Sequence, residues 1–141
     1  LTLIAAILPP GAVTTHTVFC LRTPLALAGQ RVLCTLLNSY VANYLVRLRV
    51  NTHVTVSLVP RLPVPFVRPG HPLFIRLAAC AEALALGTGP AEEMEEYAEF
   101  QAIAAHLYRL SPAQFEHVLS TFPLVPGEVR QRALVRFIDF R

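Results

Sequence analysis

The chain has 141 residues, 54% of them hydrophobic, and a formal net charge of +3, a size and composition that support one buried core and exclude an intrinsically disordered segment. Its long uncharged runs do not read as membrane spans. Residues 1–21 are broken by Pro9-Pro10-Gly11 and by Thr14, Thr15 and His16, and residues 32–46 are only fifteen long and contain Asn38 and Asn43,.

The predicted elements follow in chain order. Residues 2–8 are a short aliphatic run ended by Pro9-Pro10-Gly11, and residues 14–22 are a second β-prone run ended by Thr23-Pro24; both are predicted as strands, paired as a hairpin. From 25 to 50 the apolar positions Val32, Leu33, Leu36, Leu37, Tyr40, Val41, Tyr44, Leu45 and Leu48 recur at three- and four-residue spacing, which predicts one long helix packed on that sheet. Residues 53–59 alternate as a strand does, until Pro60 interrupts,. Beyond the Pro-rich stretch 63–72 the pattern becomes helical. Pro72 opens a helix to 86 that Gly87-Thr88-Gly89-Pro90 stops,, and a helix over 91–109 gathers Glu92, Glu93, Glu95, Glu96 and Glu99 where a helix N-terminus prefers acids,. Ser111-Pro112-Ala113-Gln114 is a capping box opening a helix to about 121, and a last helix spans 128–137,. The expected fold is α+β: a lobe of short strands with one long helix over 1–68, then an all-helical segment over 69–141, the two sharing one core.

Charge divides at the same boundary. Residues 1–68 carry six Arg (22, 31, 47, 49, 61 and 68) and no Asp or Glu, whereas residues 69–141 carry six Arg against nine acids. A polyanion would meet the first half. Lys is absent, and Arg is the side chain that forks onto phosphate or onto O6 and N7 of guanine; the same bias is also what a GC-rich genome produces.

Three segments carry a family likeness: residues 1–13, LTLIAAILPPGAV; residues 36–65, where LLNSYVANYLVRLRV leads into Asn51-Thr52-His53 and ends on Leu62-Pro63-Val64-Pro65; and residues 105–126, AHLYRLSPAQFEHVLSTFPLVP. In this order they resemble the C-terminal target-recognition region of adenine-specific DNA methyltransferases and fused restriction-modification enzymes. Family members often carry Gly in a Leu-Tyr-Gly-Leu tail where this chain has Arg109, and Ser57 and Pro60 stand where aromatic and acidic residues are frequent. The resemblance implies a module that binds double-stranded DNA in the cytoplasm and sets specificity, attached to the remainder of a methyltransferase that uses S-adenosylmethionine. With no initiating Met and no leader pattern, the chain is expected to be such a fragment.

The candidate DNA-facing residues are Arg22, Arg47, Arg49 and Arg61 on phosphates, with Asn51, Thr52 and His53 at a groove-facing turn,. A structural alternative stands beside four of them: Arg47 and Arg49 complement a helix C-terminus, and Thr52 and His53 cap a helix end and start a strand. Catalysis is not expected of the fragment itself. The one Pro-Pro lies between Leu8 and Gly11, without the polar and aromatic neighbours that hold a flipped adenine,. No glycine-rich cofactor turn exists, and the absence of Lys excludes an acid–acid–lysine nuclease site,. Cys20, Cys34 and Cys80 form no Cys-x-x-Cys, and histidines 16, 53, 71, 106 and 117 no ligand pair, so neither metal nor cofactor is expected. A second reading is a protein-interaction or dimerisation module presenting Phe115, Leu119, Phe122, Phe137 and Phe140 to a partner.

Overall fold

The apolar stripe over 25–50 contains four residues that favour a helix start over a helix interior, Thr35, Asn38, Ser39 and Asn43, and the chain starts a new helix at Ser39,. A computed structural model describes residues 1–15, 18–50 and 57–140. In it the predicted long helix is two, α1 (Leu27–Leu37) and α2 (Tyr40–Arg47), separated at Asn38-Ser39. Ser39 is extended (φ −70°, ψ 151°) and its hydroxyl accepts from the Ala42 amide at 3.1 Å, the bond that makes Ser a good N-cap,. Four further helices follow: α3 (Pro72–Leu86), α4 (Glu95–Leu107), α5 (Pro112–Ser120) and α6 (Gly127–Ile138), with one-turn 3₁₀ helices at Val59–Arg61 and Ala91–Glu93.

The described residues contain no strand, which corrects the expected α+β class to all-helical. β-branched alternation marks a chain able to join a sheet, and it becomes a strand only where a partner ladder exists. Over 2–8 the backbone finds side chains instead. The Thr2 and Leu3 amides donate to Asn43 Oδ1, both at 2.8 Å, and Ala5 exchanges bonds with the Asn38 carboxamide at 3.0 and 2.8 Å. The described part of 14–22 is irregular, with a local bond from the Val18 amide to the Thr15 carbonyl. Of the strand expected over 53–59, the described residues Ser57 and Leu58 turn into the Val59–Arg61 3₁₀ helix, where Pro60 suits the first turn; 53–56 lie outside the described residues,.

The C-terminal helices begin and end where local chemistry directs. Pro72 occupies the first turn of α3 behind His71, whose Nδ1 accepts from the Leu73 amide. The expected helix over 91–109 is divided at Met94, with a 3₁₀ turn before α4. Ser111 and Gln114 close both arms of the capping box, at 3.3 and 2.8 Å. Helix α4 ends in a Schellman motif: the Leu110 amide reaches the Ala105 carbonyl, the Arg109 amide reaches the His106 carbonyl, and Arg109 itself is left-handed at φ 57°,.

Helix α4 is the centre of the packing. Tyr97, Phe100, Gln101, Ala102, Ile103, Ala104 and Ala105 are all buried, and α4 meets α1, α2, α3 and α6. Its buried run from Phe100 to Ala105 is apolar but for Gln101, and its alanines admit close neighbours,. One core joins both compositional halves, from Val32, Leu36 and Tyr40 through Leu77 and Ile103 to Phe115 and Phe137. A smaller cluster of Leu37, Val46 and Leu62, flanked by Leu3, Ala5, Val50 and Leu58, lies outside it.

Two substitutions test these ends. Arg109→Gly relieves a left-handed residue and is expected to stabilise by about 0.5–1 kcal/mol, whereas Ser111→Ala is expected to destabilise by about 1 kcal/mol. Paired urea melts should show midpoints moving in opposite directions.

Candidate nucleic-acid interface

The basic residues of the first half are positioned by helix ends. Arg47 closes α2, and its guanidinium donates to the Thr121 carbonyl at 2.6 Å while lying 4.8 Å from the centre of the Phe122 ring. It therefore caps the C-terminus of α5, where a cation is favoured and carbonyls lack helical partners. Arg49, just beyond α2, donates from Nη1 to the Arg61 carbonyl at 3.1 Å. Arg61 belongs to the 3₁₀ turn, and its side chain is exposed. Arg22 is also exposed.

The structure thus brings Arg49 and Arg61 together and seats Arg47 on a different neighbour, α5. Asn51, Thr52 and His53 lie outside the described residues. Arg49 and Arg61, which precede and follow those three in the sequence, meet through this bond in a basic corner. Beneath it is the smaller apolar cluster, in which Val50 and Leu58, on either side of the undescribed stretch, pack with Leu37, Val46 and Leu62.

The Arg side chains take two kinds of partner. Arg47 and Arg49, and Arg132 in the second half, are bound to carbonyl oxygens, which accept a bond without neutralising the charge. In the second half Glu99 takes both Arg76 and Arg136. Burial by itself would raise the Glu99 carboxyl, but hydrogen bonds from Arg136 and Arg76 outweigh it and hold the group below the usual carboxylate range. Arg31 crosses between halves to Glu82 at 2.9 Å.

The remaining titratable groups are structural. His106 meets the Phe137 carbonyl at 2.9 Å and stacks 4.0 Å from the Phe137 ring. Burial, reinforced by Glu99 and Glu96, pushes the Cys80 thiol up to about 12, so it is held as an unreactive thiol. Among the described residues no three His, Cys, Asp or Glu are gathered so as to hold a metal ion, and no helix is long and apolar enough to cross a membrane. Phe115, Leu119, Phe122 and Phe137, the face of the expected interaction module, are buried, and Phe140 packs against the same core.

Sequence reasoning missed Asn38, Asn43 and Gln101, which entered only as polar positions within apolar runs or not at all. Asn43 and Gln101 are fully buried. Their signal was available: an uncharged amide inside an apolar helix face has to find partners there.

Comparison with protein-family models, with curated proteins and with solved structures finds no match for this chain.

A depressed carboxyl contributes stability that is present above its ordinary pKa and is lost as pH falls through the folded-state value. Stability measured by chemical denaturation is expected to fall as pH drops below the ordinary Glu value of 4.5. Glu99→Gln should be less stable at neutral pH and flatter across that acid range.

Proposed function

We propose that this chain is the DNA target-recognition region of an adenine-specific DNA methyltransferase or restriction-modification enzyme, and that duplex DNA meets it at the Arg49–Arg61 corner. The observation that carries the reading is the bond from Arg49 to the Arg61 carbonyl. It joins the Arg49 side chain to the backbone of Arg61, so two Arg residues of a stretch with no acid, which precede and follow Asn51, Thr52 and His53 in the sequence, come together. In this reading Arg49 and Arg61 anchor phosphates, which sets register, and Asn51 or His53 reads a base edge. Arg22 adds to the basic field at long range. Arg47 contributes mainly by keeping α2 seated on α5 and so fixing where Arg49 begins.

The net-negative second half is turned to other work. Its acids repel phosphate, and its helices supply the core on which the corner rests. The chain carries no methyltransfer motif or cofactor turn of its own, so S-adenosylmethionine and the flipped adenine belong to the remainder of the parent protein, a cytoplasmic enzyme in this reading. That the interaction-module phenylalanines are core residues removes the support for the competing reading.

Salt-dependent binding to duplex DNA tests the proposal. Arg49→Ala and Arg61→Ala are expected to weaken binding to all sequences alike, and each phosphate released should flatten the log–log salt dependence by about 0.9. Replacement of Asn51 or His53 should instead relax preference at one base position. If Arg49→Ala with Arg61→Ala leaves affinity and salt slope unchanged while changes at Arg130, Arg132 and Arg136 abolish binding, the reading face lies on α6.

A further inference from the structure

Residues 1–8 form neither helix nor strand, yet they are held to the molecule by side chains. Asn43 Oδ1 accepts two backbone amides at 2.8 Å, Asn38 binds the Ala5 amide and carbonyl, and the Cys34 thiol reaches the same carbonyl at 3.3 Å. The two asparagines stand in for a neighbouring strand. The outer side of the segment is free of this work, and Ile4 is 76% exposed.

What the segment covers matters more than how it is held. Leu3 and Ala5 pack into the small cluster formed by Leu37, Val46 and Leu62, and the other members of that cluster include Val50 and Leu58. Val50 follows Arg49, and Leu58 opens the turn that carries Arg61. One small apolar cluster therefore has four walls: the N-terminal segment with Leu3 and Ala5, the end of α1 with Leu33 and Leu37, the end of α2 with Val46 and Val50, and the return with Leu58, Leu62 and Val64. A wall removed from so small a cluster is felt by the other three, because interiors are close-packed.

We infer that Asn38 and Asn43 are positioning residues for the Arg49–Arg61 corner: they lock residues 1–8 as a strap whose Leu3 and Ala5 side chains set the placement of the corner. The inference deepens the proposed DNA-facing role and rests on it for its meaning, but the mechanical coupling is measurable without DNA. Loading or displacing the strap from outside would move the cations that flank Asn51, Thr52 and His53. Asn43 touches no nucleic acid in this scheme and acts only through the backbone it holds.

The test uses amide hydrogen exchange on the complete chain. Ala5→Pro deletes the N–H that Asn38 accepts while leaving every helix residue unchanged. Leu3→Ala keeps the bond to Asn43 and removes the side chain from the cluster, which preserves the test if the proline variant folds poorly. In both, the Arg61, Leu62 and Val64 amides, now bonded to Leu58, Val59 and Leu62, are expected to exchange about three- to tenfold faster. Amides of α4 and α6 should keep their wild-type rates. In a Cys20→Ser background, Cys34 should also alkylate faster in Ala5→Pro, reporting release of the strap. Acceleration confined to residues 1–8, equal acceleration throughout α4 and α6, or an unchanged Cys34 would each overturn the coupling. Loss of DNA binding on changing Arg49 and Arg61, with no such coupling, would leave the functional reading standing alone; the coupling without any DNA effect would overturn that reading alone.

Discussion

Two helices meet end to end inside this protein, and the polar groups that such a meeting strands have to be satisfied without water. Helix ends leave carbonyls and amides without the full set of helical partners, and leaving one such group buried and unpaired costs about 1–3 kcal/mol. The Cys34, Leu36 and Ser39 carbonyls keep backbone bonds from Asn38, Ser39 and Asn43, and four side chains add to them. Asn38 Nδ2 serves the Cys34 carbonyl, Ser39 Oγ serves Leu36, Asn43 Nδ2 serves Leu37 and Ser39, and Gln101 Oε1 accepts from the Tyr40 amide at 2.8 Å. Gln101 comes from the middle of α4, so the break is stitched to the central helix across the core. Each amide has donors and an acceptor to place, and at this junction both kinds find partners; a network satisfied in this way specifies one arrangement. The direction of α2, and with it the position of Arg47, Arg49 and everything they hold, depends on this junction.

The electrostatics follow from the same layout. α2 leaves the core with cations at its end, and Arg47 meets the carbonyl terminus of α5 because α2 and α5 pack together. Arg49 meets the carbonyl of Arg61. Neither partner carries a full negative charge, so these two cations are not neutralised by the bonds they make, whereas Arg31 of the first half pairs with Glu82. In the second half, by contrast, α3, α4 and α6 bring Arg76, Glu99 and Arg136 into one cluster, where opposite charges cancel locally. A sequence with modest net charge thus yields a molecule whose basic corner is defined by where carboxylates are not. That asymmetry is the physical content of the DNA-binding proposal.

Arg109 holds a left-handed backbone, the conformation in which glycine is least strained,. The Schellman bonds at Leu110 and Arg109 retain the turn in spite of the Arg side chain.

Local chemistry in the sequence determined the second half well. Pro72 and the Gly87–Pro90 stop bracket α3, the Ser111–Gln114 capping box opens α5, and the expected helix over 128–137 is α6 within a residue at each end. Such signals are read from neighbours in the chain, because a cap or a first-turn proline acts within four residues. The basic first half was also legible, since composition needs no fold. The fold class was not. Residues 2–8 and the described part of 14–22 have strand-like composition, but a strand requires a partner, and only the tertiary structure shows Asn38 and Asn43 taking that place along 2–8. The division of the long apolar stripe was visible in Ser39 yet outweighed by periodicity, which runs unbroken through a tight helix–helix junction. The pairing of Arg49 with the Arg61 carbonyl spans twelve residues, beyond the range of pattern and within the reach of packing alone.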